Sequence, residues 1–351
     1  TADHRRDKAL QTIHLAYSTD RGRTFSKYAR NPIIDVQNAK FGDPKVFWHA
    51  PSGQWIMVNI LGRQQGRVAL YGSYDLKAWR MLSVFRAPEE APGMWECPDL
   101  FPLPLDGDPQ QVKWVLKVNW VDVEQGPWGS RYFVGDFDGR RFKNGALTAQ
   151  PLLPDQDPFY AEVTYNGVPD GRRIIIGWLR QRPDSARPWT GLQSIPRTLK
   201  LRSSGDGFRL CQEPVREMQA LRREQHAFRH QAISGDAPLL SNVSASELEL
   251  AALFDPGSAA EVGFRLRLDG GAEAVVGYSR ATDELFARTE RARSALSLPL
   301  QGGRLKLHVF VDRSVVEVFG GDGASVTTAL LEPHAVCQTV APYAQGGSAR
   351  L

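Results

Sequence analysis

Short runs of β-branched and aromatic residues, separated by frequent glycine and proline, dominate this sequence. Examples are QWIMVNI at 54–60, KWVLKVNW at 113–120 and RRIIIGWL at 172–179. With 32 glycines and 23 prolines in 351 residues, few segments are long enough for a helical period to develop. Strands bounded by such turn residues are typical of all-β proteins, so the sequence predicts an all-β fold.

One segment departs from this pattern. Between 213 and 231 the apolar residues Val215, Met218 and Leu221 recur every three positions, after a proline suited to a first helical turn. We expect a connecting helix here, within a linker at 211–231.

A turn plan repeats in the part before this linker, at 1–210. The strings YSTDRGRTF at 17–25, GSYDLKAW at 72–79 and VGDFDGRRF at 134–142 each end a strand with a polar turn and a closing aromatic residue. In each, an aspartate can bond nearby backbone amides, and the aromatic ring is expected to pack on the sheet. Recurrence at roughly 50 to 60 residues, with several strands in each unit, suggests the blades of a β-propeller.

From 232 to 351 the sequence alternates between apolar and polar residues. The runs EVGFRLRL at 261–268, LKLHVFV at 305–311 and VVEVF at 315–319 are joined to their neighbours by turn signals at 269–270 and 312–314. Alternation predicts strands with one apolar and one solvated face. We therefore expect an antiparallel β-sandwich as a second domain.

Composition excludes several classes of function. A net charge of +4, without aromatic residues among the basic runs, argues against nucleic-acid binding, and no apolar run approaches the roughly 18 residues of a membrane span. The first twenty residues have no apolar core of the kind a signal peptide requires. No phosphate-binding loop is present. We therefore expect no cofactor, no nucleic acid and no membrane as partners.

Cysteine and histidine residues give no sign of a metal site or of a disulfide framework. Cys97, Cys211 and Cys337 are odd in number and far apart, so at least one thiol must be free. His49 and His308 are assigned to polar faces of strands, and no metal-ligand spacing occurs.

Two carboxylates are candidates for catalysis. Asp43 lies in FGDPKVFW at 41–48, where the following proline is expected to restrict it to extended geometry. Glu96 lies in WECPDLF at 95–101, where apolar neighbours are expected to raise its pKa toward that of a general acid. Each also has an ordinary interpretation: an Asp-Pro pair is commonly only a turn, and a Glu beside Trp is commonly a surface acid at a strand edge.

The string at 95–101 resembles the W-E-C-P-D signature of glycoside hydrolase family 32, the fructan and sucrose hydrolases, and FGDP at 41–44 resembles that family's F-R-D-P motif. Further similarities lie at AYS (16–18), YFVGDFDG (132–139), IGW (176–178), IPR (195–197), VDRS (311–314) and EVF (317–319). The stretch from 99 to 119 is similar to the levanase and exo-inulinase branch.

The resemblance implies a five-bladed propeller followed by a β-sandwich, and retaining hydrolysis of terminal β-D-fructofuranosyl units of a fructan or sucrose-type carbohydrate. Glu96 would be the acid/base, and Asp43 would stabilise the transition state. Trp178 would line the sugar pocket, although packing in the core is an equally good interpretation. The family also implies an extracellular or periplasmic location.

Three departures from the family pattern qualify these expectations. The family nucleophile is the Asp of an N-D-P-N-G motif in the first blade, and that motif occurs nowhere in the 351 residues. Gly42 stands where the motif has arginine, and in DPFYA at 157–161 the acid is displaced by one residue from the family's D-F-Y-A.

The missing motif leads to an expectation about both fold and activity. We expect an incomplete propeller without its first blade, and a chain that is inactive for lack of a nucleophile. The chain would then be a fragment of a longer enzyme or a degenerate relative. The alternative functions are non-catalytic, lectin-like fructan binding and a remnant without function.

Overall fold

The computed structural model of the chain is built almost entirely of strands, as the sequence predicts. It describes residues 11–38, 41–62, 66–86, 93–121, 128–145, 158–181, 189–205, 207–237, 240–290, 292–331 and 335–351. Two compact units divide the chain. The first takes in residues 1–153, 161–167 and 205–208, and the second takes in 154–160, 168–204 and 209–351.

The first unit contains one four-stranded antiparallel sheet and a second run of four antiparallel strands that belongs to a larger sheet. In both, each strand pairs with the next in sequence. This order is that of a propeller blade. Its strands are β1 (Gln11–Ile13), β2 (Ala16–Tyr17), β3 (Ser26–Lys27), β4 (Ile34–Asn38), β5 (Phe41–His49), β6 (Gln54–Leu61), β7 (Arg67–Ser73), β8 (Arg80–Arg86), β9 (Met94–Leu105), β10 (Asp108–Val121), β11 (Trp128–Phe137) and β12 (Phe142–Asn144). A 3₁₀ turn at Ala50–Ser52 joins β5 to β6.

An apolar core lies between the sheets β5–β8 and β9–β12. Ile56 and Leu70 from the first sheet pack with Trp95, Leu116 and Phe133 from the second, and all five are buried. Burial of a large aliphatic or aromatic side chain contributes about 1.5–3 kcal/mol, so this core holds the two sheets together.

The repeated turns form as the sequence predicts. Asp20 Oδ1 accepts the Thr24 amide at 2.9 Å, and Asp75 and Asp138 each accept two backbone amides in the same way. The closing aromatics differ. Phe142 is buried and Trp79 is partly buried against the core, but Phe25 is 66% exposed, so the packing predicted for it is wrong. The hydrogen bonds of the Asp20 turn therefore form although Phe25 does not pack on the sheet.

The Asp20 turn predicts a pH-dependent stability. Backbone and hydroxyl donors lower the pKa of Asp20 from 3.8 to about 2, so the charged form contributes stability above about pH 4 that is lost as the pH falls through 2. We expect Asp20→Asn to lower the melting temperature slightly at pH 6 and to have no effect below pH 2. Differential scanning calorimetry across this range measures the difference. A difference that is constant with pH would contradict the charge-based explanation.

The second unit begins with short strands and continues into two packed sheets. Its elements are β13 (Phe159–Thr164, whose last residues belong to the first unit), β14 (Arg173–Leu179), β15 (Leu192–Gln193), β16 (Arg197–Ser204), β17 (Gly207–Pro214), β18 (Ala232–Asp236), β19 (Leu240–Ala245), β20 (Glu247–Phe254), β21 (Glu261–Leu268), β22 (Glu273–Ser279), β23 (Glu284–Thr289), β24 (Arg293–Ser297), β25 (Leu305–Asp312), β26 (Val315–Gly320), β27 (Ser325–Leu330) and β28 (Cys337–Arg350). Single 3₁₀ turns lie at Arg216–Leu221, Asp269–Gly271 and Gln301–Gly303.

The predicted antiparallel sandwich is present. One sheet has the order β18-β28-β21-β22-β23-β24, with β19 also paired to β28, and the other has the order β20-β25-β26-β27. Their facing side chains form a single large core. Both predicted turns are found, the first in the 3₁₀ turn at Asp269–Gly271 and the second between β25 and β26, where Arg313 has φ +52°.

The prediction of one apolar and one solvated face fails at β26, whose six residues are all buried. Val316 and Val318 face the sandwich core. The alternate residues contact other parts of the unit: Val315 packs with Phe159, and Phe319 lies in a separate cluster with Ile195 and Met218. Because a second layer of chain covers this strand, alternation alone could not predict its environment.

The predicted helix at 213–231 is shorter than expected. Only the 3₁₀ segment Arg216–Leu221 forms, and 222–230 has no regular structure. Val215 is buried and Met218 packs in an apolar cluster, but Leu221 is 70% exposed and the residues after it face solvent. A helix this short gains most of its stability from packing, so it ends where the packing ends.

In the part of the chain that the structure describes, no helix has the length and apolar character needed to cross a membrane.

Candidate functional site

Asp43 lies in a bulge of β5. Gly42 pairs with Ile60 and Lys45 pairs with Val58, so Asp43 and Pro44 face a single residue of β6. Asp43 is exposed and has φ +56°, so the predicted extended geometry is wrong. The bulge accounts for this, because its extra residue leaves the regular ladder and Asp is among the residues that tolerate a positive φ.

Glu96 lies beside an equivalent bulge of β9. Glu96 pairs with Asn119 and Asp99 pairs with Lys117, so Cys97 and Pro98 face only Val118 of β10. Cys97 has φ +44°. Both bulges thus consist of a residue at positive φ followed by proline, which lacks the amide hydrogen that a ladder position needs. Bulges redirect the side chains next to them, and here they present Asp43 and Glu96.

A direct hydrogen bond joins the two bulges. The Cys97 amide donates to Asp43 Oδ2 at 3.1 Å, across 54 residues of sequence. The structure therefore brings the two predicted acids to one place in the first unit, with Asp43 exposed and Glu96 partly exposed. Non-glycine residues at positive φ are costly and cluster at functional sites, which supports a site here.

The pKa of the Cys97 thiol reflects the burial and the charges around the two bulges. Burial raises its pKa to about 12, and the charges of Asp43, Glu162 and Glu96 add to this effect, while Lys117 opposes it. The thiol therefore stays protonated at neutral pH and is not a nucleophile. What the site offers chemically is a group of carboxylates with a buried cation beside them.

Buried polar residues below the bulges were not predicted from the sequence. Lys117, Asn119 and Glu162 are each fully buried, and Lys117 Nζ lies 3.1 Å from Glu162 Oε1. Beside them Lys45 pairs with buried Asp99 at 3.3 Å. A signal existed in KWVLKVNW, where two polar residues two positions apart lie on one face of an otherwise apolar strand.

The side chain of Gln11 lies next to Gly42. Gln11 Oε1 accepts the Phe41 amide at 2.9 Å, and a Cβ placed on Gly42 would lie 3.4 Å from the same oxygen. The displaced acid of the third departure, Asp157, lies outside the described residues, whereas Phe159 and Tyr160 of that string are buried.

Trp178 belongs to the second unit, where it is 42% exposed. It pairs with Gln193 in the β14–β15 ladder, and a Cβ on Gly191 would lie 2.1 Å from its Nε1. The Arg180 guanidinium lies 6.0 Å from its ring centroid. An exposed ring of this kind does not fit the interpretation of Trp178 as a core residue, and it can pack on a sugar face.

The histidines and cysteines have mainly structural surroundings. His49 is buried between Trp114 and Phe137, so its predicted place on a polar face is wrong, and this burial lowers its pKa. His308 is partly exposed and bonds Glu249 at 2.7 Å. All three cysteines are free, in agreement with the sequence. Within the described ranges, no group of three His, Cys, Asp or Glu side chains could hold a metal ion.

Comparison with known proteins identifies close similarities. The chain is 38% identical to a levanase of Bacillus subtilis (strain 168) over 97% of its own length and 54% of the relative's. It is 31% identical to the extracellular exo-inulinase of Aspergillus ficuum, over 92% of its length and 67% of that protein. It spans 41% of a second levanase, from Bacillus sp. (strain L7). The chain thus covers about half the length of the levanases it matches.

The fold is shared with a solved relative. The crystal structure of exo-inulinase from Aspergillus awamori superposes with a TM-score of 0.85 at 29% identity, covering 97% of this chain and 74% of that one. The predicted combination of propeller and sandwich is confirmed by this match. Residues 1–214 match the N-terminal domain of glycosyl hydrolases family 32, and 217–351 match the C-terminal domain. The chain therefore belongs to glycosyl hydrolase family 32.

Proposed function

We propose that this chain carries part of the machinery of a β-fructosidase of the levanase or exo-inulinase type, which removes terminal β-D-fructofuranosyl units with retention. The observation that carries the proposal is the hydrogen bond from the Cys97 amide to Asp43, which joins the two acid-bearing bulges. The 38% identity to a levanase supports the substrate class.

In this proposal Glu96 is the acid/base. It protonates the oxygen of the leaving group while a second carboxylate attacks the anomeric carbon, and it then accepts a proton from the water that releases fructose. Asp43, exposed beside it, accepts hydrogen bonds from fructose hydroxyls and stabilises the positively charged transition state. Its bond from the Cys97 amide holds it toward Glu96.

Glu96 and Asp43 do not supply the second carboxylate, which would attack the anomeric carbon. A retaining pair has its carboxyls about 5–5.5 Å apart, and the N-D-P-N-G motif is absent from the sequence. The nearby acids Glu162 and Asp99 are fully buried and paired with Lys117 and Lys45, so neither is available to attack a sugar. We therefore propose that the 351-residue chain alone is inactive.

The partner in this proposal is a fructan or sucrose-type carbohydrate. The Trp178 ring is 42% exposed, and we propose that it packs on a sugar of this carbohydrate. The relative from Aspergillus ficuum is named an extracellular exo-inulinase. We propose that this chain likewise acts outside the cell.

The second candidate function is lectin-like binding of fructan without catalysis. It is favoured by an exposed Asp43 and a partly exposed Glu96 in a sequence that has no N-D-P-N-G motif. Gly42 argues against it, because a glycine supplies no side-chain donor to a sugar hydroxyl where the family motif has an arginine.

Hydrolysis assays test the proposed inactivity. We expect the chain to release no measurable fructose from levan, inulin or sucrose, since loss of one essential catalytic group commonly lowers the rate by a factor of about 10⁴ or more. Fructose release at rates typical of the family, abolished by Glu96→Gln, would show that another carboxylate replaces the nucleophile.

Calorimetric titration with levan oligosaccharides separates the two candidates. Under the hydrolase proposal, Asp43→Asn weakens binding because it removes the charged acceptor for sugar hydroxyls. Binding that survives both Asp43→Asn and Glu96→Gln would favour the binding protein. Asp20→Asn, which changes an exposed acid in a turn, serves as the matched control.

A further inference from the structure

An ion pair joins the two bulges in addition to the hydrogen bond between them. The hydrogen bond runs from the Cys97 amide to Asp43. Two residues further along each strand, Lys45 Nζ lies 3.3 Å from Asp99 Oδ2. Lys45 and Asp99 are also the first residues after the bulges that return to the regular ladders of β5 with β6 and of β9 with β10. The ion pair therefore connects β5 and β9 where both bulges end.

The end of β13 holds this ion pair in place. The Thr164 amide and hydroxyl both donate to Asp99 Oδ2, at 2.9 and 2.8 Å, and the Thr164 carbonyl accepts a hydrogen bond from Lys45 Nζ. Two residues later, Asn166 Nδ2 donates to the Val46 carbonyl at 2.7 Å. Only 16% of the Lys45 side chain and 2% of the Asp99 side chain are exposed. One largely buried group of polar atoms thus ties three strands together.

Proline limits the motion between the ion pair and the bulge residues. In each bulge a single proline, Pro44 or Pro98, separates the residue at positive φ from the residue in the ion pair. The proline ring fixes φ at about −65°, which removes one of the two free rotations of that residue. The ion pair therefore restricts where the Asp43 carboxylate and the Cys97 amide can lie.

Stability alone is a weak explanation for two charges in this place. Burial of an ion pair carries a desolvation cost that often cancels its attraction, and apolar side chains can often replace such pairs without loss of stability. Lys45 and Asp99 lie where a movement of either strand would change the distance between the two acids. The Cys97 nitrogen is bonded to the carbonyl carbon of Glu96, so its hydrogen bond to Asp43 also holds the Glu96 backbone.

We propose that the Lys45–Asp99 ion pair positions Asp43 and Glu96 by fixing the separation of the two bulges. Lys45 and Asp99 are positioning residues, since they act on a sugar only through the two acids. The proposal rests on the proposed function for the roles of Asp43 and Glu96, but its geometric content can be measured without substrate.

Amide hydrogen exchange at Cys97, followed by NMR, tests this geometry. The variant Lys45→Met/Asp99→Asn removes both charges, so it leaves no buried charge unpaired, and the asparagine keeps an acceptor for the Thr164 donors. We expect exchange at Cys97 to become about tenfold faster or more, because its hydrogen bond to Asp43 is open for a larger fraction of the time. Asp43→Ala removes the acceptor and gives the rate of the unbonded amide, which the double variant should approach.

Two comparisons separate positioning from a general loss of stability. Ala69 is fully buried in β7, which is paired on both sides, so its amide reports opening of the whole sheet. Exchange at Cys97 should rise more than exchange at Ala69. Lys113→Met breaks a partly exposed ion pair with Asp136 and should change neither rate.

Three exchange results would overturn the proposal. The first is no rise at Cys97 in the double variant, the second is an equal rise at Cys97 and Ala69, and the third is a rate in Asp43→Ala equal to that of the wild type. If the double variant does not fold, Asp99→Asn alone decides the proposal, because it weakens the pair with Lys45 and keeps the acceptor. Exchange at Cys97 must then rise.

Calorimetry with levan oligosaccharides connects the geometry to sugar binding. We expect the double variant to bind about tenfold more weakly than the wild type, because hydrogen-bonding groups that are out of place hold a sugar less well. An unchanged affinity together with faster exchange at Cys97 would show that the separation of the bulges does not matter for binding, and the proposal would be wrong. A wild type that binds no levan oligosaccharide would count against the proposed function, while the exchange rates would still decide whether the ion pair positions the bulges.

Discussion

Replacing Arg197 by methionine is expected to lower the free energy of unfolding by about 3–5 kcal/mol, because the change leaves Glu317 as a buried charge without its partner. The Arg197 guanidinium is fully buried and forms an ion pair with Glu317. It also donates to Gln212 Oε1 at 2.9 Å and lies 4.2 Å from the ring centroid of Phe159. Urea denaturation followed by tryptophan fluorescence measures the change.

Two controls make this prediction specific. Arg313 forms an ion pair with Glu247, and more than half of each side chain is exposed. We expect Arg313→Met to lower the free energy of unfolding by less than about 1 kcal/mol. The double variant Arg197→Met/Glu317→Leu, which removes both charges, should regain much of the stability lost in Arg197→Met. If Arg197→Met were no more harmful than Arg313→Met, the buried pair would contribute nothing to folding.

This ion pair gives a physical role to two sequence similarities outside the site. Arg197 belongs to IPR at 195–197 and Glu317 to EVF at 317–319. Glu317 also accepts the Ile195 amide at 2.8 Å, so the two motifs are joined twice. Their residues stabilise the covered face of β26, which indicates that these motifs serve the fold rather than the chemistry.

The sequence predicts the sandwich well because strand alternation has a period of two and depends on local sequence. It could not predict that β26 is buried on both faces. The covering residues Phe159, Ile195 and Met218 precede the strand by about 100 residues or more, and no local pattern records such a contact. The long helix at 213–231 was overpredicted for the same reason, since the spacing was present but no surface covered Leu221.

The sequence analysis named the two acids of the candidate site, but it did not predict the bulges or the buried polar residues around them. Asp43 and Glu96 lie in motifs that sequence comparison can recognise. The bulges that join them depend on register, which appears only when strands pair. Lys117 and Asn119 were detectable as polar residues within an apolar strand. Their partner Glu162 lies more than 40 residues away, so its role became visible only in the folded chain.

Gly42→Arg is expected to tighten the binding of levan oligosaccharides by about ten- to a hundredfold. A charge-assisted hydrogen bond contributes about 1.5–3 kcal/mol, and each 1.4 kcal/mol corresponds to about a factor of ten in affinity. The substitution returns a guanidinium next to Asp43, where the family motif has one. The site can accept the new Cβ, because its nearest neighbour is Gln11 Oε1 at 3.4 Å, the end of a flexible side chain.

Calorimetry against Gly42→Ala isolates the effect of the guanidinium, since alanine introduces the same Cβ without donors. We expect the alanine variant to bind as the wild type does and to melt at a similar temperature. Neither variant should release fructose, because an arginine strengthens the grip on sugar hydroxyls without supplying a carboxylate that could attack the anomeric carbon. If Gly42→Arg folds but binds no more tightly than Gly42→Ala, Asp43 does not lie at a fructose site, and the assignment of this place in the first unit would have to be abandoned.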